Sequence, residues 1–153
     1  MNTAVRIILL IQTIGGGYFG AVMTATSAEG MPVVMSVTGI VMFLGITLAG
    51  ISFALSPGRT WPVLAALAVQ TIWISTPAFS YKISTGLAFW IITMSGQGNV
   101  WANFGADVSL GSFGIQQTGF GLNIVALSLL AIVWMSAKGQ RDRTKHVEQR
   151  SEM

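Results

Sequence analysis

The chain has 153 residues, of which 52% are hydrophobic and 8% are charged, with a net charge of +3. Soluble domains carry about 25% charged residues, so this composition points to one compact integral membrane domain. The positive balance resides mainly in the C-terminal tail, which excludes a basic nucleic-acid-binding surface, and the lack of Cys excludes disulfides, thiolate metal centres and cysteine nucleophiles.

The first predicted element is a membrane span from about Ala4 to Thr24, where Gln12, Thr13 and Thr24 are the only interruptions of an apolar run behind Arg6. A stretch of this length crosses a hydrocarbon core of ~30 Å. The same residues also read as a cleavable signal peptide, with Arg6 as its basic region, Ile7 to Ile14 as its core and Thr26-Ser27-Ala28 as the small-residue cleavage site. Gly16 and Gly20 form a GxxxG pair, repeated by Gly17 and Ala21, which offers a flat face to another helix.

A polar loop from Thr26 to Gly30 leads to the second span, about Met31 to Leu55, with Pro32 in its first turn. Gly45 with Ala49 and Gly50 with Ala54 repeat the four-residue spacing of small side chains. Gly16, Gly20, Gly45, Ala49 and Gly50 are therefore the expected helix-packing positions. Ser56-Pro57-Gly58-Arg59-Thr60 is a turn by composition, and a third span runs from about Trp61 to Phe79 before Pro77 closes or kinks it.

The stretch from about 80 to 119 changes character. Tyr81, Ile83, Leu87, Phe89 and Ile91 alternate with small or polar neighbours, and Val100, Ala102, Phe104, Ala106, Val108 and Leu110 alternate with Asn99, Trp101, Asn103, Gly105, Asp107 and Ser109. Period two marks strands with one buried face. Ser95 to Asn99 forms a turn between them, a second turn falls at Gly111-Ser112, and Phe113, Ile115 and Gln117 make a third, shorter strand. The competing reading is an interfacial helix over Thr85 to Met94 followed by irregular loop.

The fourth span runs from about Phe120 to Ala137, and the tail, 138–153, holds five of the eight Lys and Arg residues. By the positive-inside rule the tail is cytoplasmic. Four spans then place the N-terminus, Arg6 and Arg59 on the same side, with Glu29, Lys82 and Asp107 outside. The expectation is an all-α membrane bundle of four transmembrane helices with a small extracytoplasmic antiparallel β-meander between helices 3 and 4. The corresponding location is a plasma or inner membrane, multi-pass, with both termini in the cytoplasm.

Reactive chemistry is sparse. The single histidine, His146, lies in the tail, and no cluster of His, Cys and carboxylates suggests a metal or haem site. No acidic residue lies within a predicted span, which disfavours a carboxylate-based proton-coupled carrier. Lys82, the one basic residue on the outer side, is expected at the lipid headgroups or paired with Asp107. Gln12, Gln70 and Asn123 are the polar residues of the spans, expected to pair helices or, in the second reading, to line a pore for an uncharged solute. Trp90, Trp101, Asn103, Asp107 and Phe113 form the candidate interaction surface of the sheet, where aromatic residues serve either a membrane belt or a recognition patch.

Two functional classes follow. One is a non-enzymatic scaffold or accessory subunit that forms a homo-oligomer or joins a larger membrane complex through its sheet and small-residue helix faces. The other is a component of a small channel or transporter for an uncharged or weakly polar solute. Neither calls for a cofactor, and the lipid bilayer is the expected environment in both.

Overall fold

The computed structural model describes residues 1–26, 32–111 and 118–151, with side chains described through 109 in the middle segment and through 139 in the last. The first helical run comprises α1 (Thr3–Leu10), a π-helical turn (Ile11–Gly15) and α2 (Gly16–Thr26). It is followed by α3 (Val33–Leu55), α4 (Trp61–Val69), β1 (Ile72–Ser75), β2 (Ser80–Met94), β3 (Gln97–Gly111), β4 (Gly119–Asn123) and α5 (Ile124–Ser151).

The chain is not an all-α bundle of four transmembrane helices. Among the described residues two helical stretches are long and apolar enough to cross a membrane, Thr3–Thr26 with 24 residues and Val33–Leu55 with 23. The predicted third span, about 61–79, is helical only through Val69 and then becomes β1. The predicted fourth span, about 120–137, begins as the end of β4 and turns helical at Ile124. Both departures have one cause. Ile72-Trp73-Ile74-Ser75 and Gly119-Phe120-Gly121-Leu122-Asn123 are apolar enough to read as membrane helix, yet β-branched and aromatic residues there alternate as a strand requires. Hydropathy alone does not separate the two conformations in a short apolar run.

The sheet is also larger than a three-stranded meander. Its order is β1-β4-β2-β3, with β1 pairing β2 as well, and every pairing is antiparallel. The expected strand at Phe113, Ile115 and Gln117 lies outside the described residues. The long hairpin β2–β3 is in continuous register from Ser80↔Gly111 to Met94↔Gln97 around a turn at Ser95-Gly96. Residues 80 and 81 of β2 pair with β1, residues 90–94 pair with β4, and β4 pairs with β1. These three strands therefore close on one another, and β3 flanks them.

That closure needs β2 to bend. Gly86 and Gly105 face each other in the ladder and both have positive φ, +66° and +137°. A side chain at either position strains the backbone, so glycine lets both strands of the hairpin kink together. Below the kink, Ile83 is buried with Ala21, Phe43, Ile46, Ala49 and Ala66, and Tyr81, Ala106 and Val108 pack around them. A second core at the other end of the helices joins Leu9, Phe53, Val63, Leu67, Leu129 and Val133. Above the kink the same face of the sheet is open: Leu87, Phe89, Ile91, Val100 and Phe104 are all exposed. Ile72 and Ile74 of β1 and Phe120 of β4 are exposed as well. The outside of the upper sheet is therefore apolar.

Candidate functional site

The three polar residues of the predicted spans converge on one strand. Between its pairings with β1 and β4, the second edge of β2 has no strand beside it. Side-chain amides occupy that gap. Gln70 Oε1 accepts from the Thr85 backbone N–H at 3.1 Å, Gln12 Oε1 accepts from the Leu87 N–H at 2.9 Å, and Asn123 Oδ1 accepts from the Phe89 N–H at 3.3 Å. Gln12 Nε2 also donates to the Leu87 carbonyl at 3.0 Å. Thr85, Leu87 and Phe89 are spaced by two, so their backbone groups point to the same edge. Gln12 thus meets Leu87 as the facing peptide of an antiparallel neighbour would.

Each amide is set by its own element. Gln12 lies in the π-helical turn, a distortion that recurs at special sites. Its carbonyl accepts from the Thr85 hydroxyl at 2.7 Å, and the same hydroxyl lies 2.6 Å from Gln70 Oε1. Gln70 ends α4, and its Nε2 donates to the Ala66 carbonyl at 2.9 Å. Asn123 ends β4 and caps α5, its Oδ1 accepting from Val125 N at 3.2 Å and Ala126 N at 3.4 Å. The three do not pair with one another; they share β2.

The small residues divide by use. Gly16 lets the first helical run touch β2, because a methyl there overlaps the Thr85–Gly86 backbone. Gly20 accommodates the Phe43 ring of α3, and Gly50 accommodates Thr13 and Ile14. Ala49 is buried in the helix–sheet core. Gly45 has open space around its Cα and lies in an apolar groove between α3 and α4.

On one face of the sheet, residues of β1, β2 and β3 line an open cavity of about 350 Å³. Trp73, Trp90, Trp101, Ile92 and Met94 give it apolar walls, and Lys82, Asp107, Ser75, Ser80 and Ser109 supply polar groups. Of the polar residues that alternate along β3, Asp107 and Ser109 line this cavity. Lys82 forms an ion pair with Asp107 across the hairpin. Its ammonium also sits 3.6 Å from the Trp101 ring centroid and 5.8 Å from that of Trp90, within cation–π range. Ser80 and Ser109 hydroxyls bond to each other at 3.0 Å. Trp90 is 0% exposed, and its indole N–H has no acceptor among the described residues. Asn103 lies on the same β3 face, with a buried Oδ1 that likewise lacks a partner among the described residues. Phe113 lies outside the described residues.

Of the expected interaction residues, Trp90, Trp101 and Asp107 are brought together around Lys82. The sequence reading passed over Thr85, Gly86 and Trp73. Only the Gly86–Gly105 pair carried a local signal, a glycine at the middle of each strand. No group of three or more His, Cys, Asp or Glu able to hold a metal occurs among the described residues. Comparison with known proteins finds no matching family model, no matching curated protein and no matching solved structure.

Proposed function

We propose that the protein is a non-enzymatic, self-assembling membrane subunit in which two copies join through the outer edge of β3. Lipid offers no hydrogen bonds, so every backbone group at membrane depth needs a protein partner. Gln12 and Gly16, midway along the Thr3–Thr26 helical run, touch β2. A bilayer spanned by that run therefore reaches the sheet, whose outward face is apolar. The amides engage the second edge of β2 at Thr85, Leu87 and Phe89, and β1, β4 and β2 pair with one another. The outer edge of β3 is left over.

That edge is the observation that carries the reading. Gln97 to Phe104 is exposed except at Asn103, with Val100 at 64% and Phe104 at 81%. It contains no Pro, no Lys and no acidic residue, the devices by which sheets normally discourage edge pairing. A second copy is the natural occupant. An uncharged strand meets its own image about a two-fold axis without like-charge repulsion, and the apolar outer faces then join into one surface. The basic tail favours a cytoplasmic C-terminus, with α4 entering the bilayer from that side and the sheet toward the outer leaflet.

The test uses the absence of native Cys. A Val100→Cys chain treated in the membrane with a short bifunctional thiol reagent should yield a covalent dimer, whereas Gly58→Cys, at the α3–α4 turn, should not. Val100→Lys should convert the detergent-solubilised dimer to a monomer. A wild-type chain that is monomeric at all concentrations in lipid nanodiscs contradicts the proposal.

The channel reading draws less support. Gln12, Gln70 and Asn123, its candidate lining, are engaged with the β2 backbone.

A further inference from the structure

We propose that the groove between α4 and α5 holds one acyl chain of an anionic phospholipid, with Lys138 and Arg59 attracting its phosphate at one end. The inference goes beyond the assembly role. It rests on the membrane setting but not on β3 pairing, so a Val100→Lys monomer should retain the lipid.

Shape sets the first limit. Trp61, Leu64 and Ala68 of α4 and Leu127, Leu130 and Trp134 of α5 line a space of about 600 Å³, and every lining side chain is aliphatic or aromatic. At about 30 Å³ per water-sized group, that space holds about twenty heavy atoms, the size of one long acyl chain. α4 has nine residues, which at about 1.5 Å each makes a groove about 13 Å long. Half of a ~30 Å hydrocarbon core, the depth of one leaflet, is close to that length.

The two ends of the groove differ. α4 and α5 run antiparallel: Thr60 and Val133 line one small cavity, while the Thr71 carbonyl accepts from the Asn123 N–H at 2.8 Å. Val69 and Leu127 therefore mark the end where both helices meet the sheet. Trp61 and Trp134 mark the other end and are 75% and 57% exposed. Exposed indoles closing an apolar stretch sit at the headgroup level of a bilayer.

Charge selects the headgroup. Lys138 follows Trp134 by one helical turn on the same face, with its ammonium 5.8 Å from the Trp134 ring centroid. Arg59 stands in the turn just before α4, and Arg6 reaches the same end, where it lines the small cavity with Thr60 and Val133. Among the described residues the one acidic side chain is Asp107, which is paired with Lys82 in the sheet. The Trp61–Trp134 end is therefore positive, and a lipid phosphate supplies the opposite charge. A second copy of the chain fits less well. A two-fold axis along the bilayer normal would bring the same positive ends together.

Brominated lipids test the assignment. The chain is reconstituted in phosphatidylcholine vesicles, and phosphatidylglycerol or phosphatidylcholine brominated in one acyl chain then replaces part of the host lipid. Tryptophan quenching in wild type minus that in a Trp61→Phe/Trp134→Phe chain isolates the groove signal. Brominated phosphatidylglycerol should reach half-maximal quenching at a mole fraction about fivefold lower than brominated phosphatidylcholine, the effect of about one cation near the surface. Lys138→Gln combined with Arg59→Gln should remove most of that preference. Ala131→Phe, which fills the groove from an exposed position, should also remove it. Equal quenching by the two lipids overturns the proposal. So does a preference unchanged by the paired Gln substitutions, or one unchanged by Ala131→Phe, because the lipid is then attracted to the bilayer surface and not seated in the groove. All the substituted side chains are exposed, so none of these variants removes a core contact.

Discussion

The Gln12 side chain hydrogen-bonds both the N–H and the carbonyl of Leu87, at 2.9 and 3.0 Å, so that one primary amide completes a strand edge from within a helix. This relationship ties the first helical run to the sheet through hydrogen bonds. A strand beside a helix normally leaves its outer edge unpaired, and helix backbones have no groups to spare. Gln12, Gln70 and Asn123 supply them from side chains at alternate residues of β2.

Gln12→Leu should therefore be costly despite its apolar replacement. It leaves the Leu87 N–H and carbonyl without partners, at about 1–3 kcal/mol for each group left unsatisfied. Denaturant unfolding in detergent micelles measures the loss. A change below about 0.5 kcal/mol, the range of ordinary surface substitutions, contradicts the strand-edge role.

Gly86 and Gly45 should respond in opposite ways to the same substitution. Gly86→Ala places a methyl against Gln12 Oε1 at a φ of +66°, so strain and steric overlap add. A loss of about 2 kcal/mol or more is expected, at the upper end of the cost of a non-glycine residue held in the left-handed region. Gly45→Ala meets open space within a regular helix and should be neutral or stabilising by up to about 1 kcal/mol. Thermal unfolding of both variants, measured side by side, reads the contrast.

The Lys82–Asp107 pair should show strong coupling. Its side chains are 11% and 29% exposed, so each charge is largely removed from water and removing one leaves the other uncompensated. Asp107→Asn and Lys82→Met singly should each cost about 1–3 kcal/mol, below the range for fully buried pairs because of the residual exposure. The double variant should be less damaged than the sum of the two. A double-mutant cycle with additive losses excludes the coupling.

Thiol accessibility in oriented membrane vesicles tests the proposed orientation. Single Cys at Gly58 and at Gly139 should label from the cytoplasmic side, and Cys at Gln97 from the opposite side. Labelling of Gln97→Cys and Gly139→Cys from one side rules that orientation out.

The sequence by itself determined the membrane-like composition, the two long apolar helices, the strand alternation of 99–110 and the turn before it. Those features rest on local physics: composition is additive, and period two is visible in any strand with unlike faces. Gln12, Gln70 and Asn123 also stood out, because amides are conspicuous in apolar runs. Their partners did not. Thr85, Leu87 and Phe89 offer backbone groups, which every residue has, so no side-chain pattern marks them as receptors. The conformation of 72–75 and 119–123 was likewise decided in three dimensions. β4 is extended because it fits between β1 and β2, and hydrogen bonding across the sheet, set by contacts between residues far apart in sequence, outweighs an apolar character that would also have suited a helix.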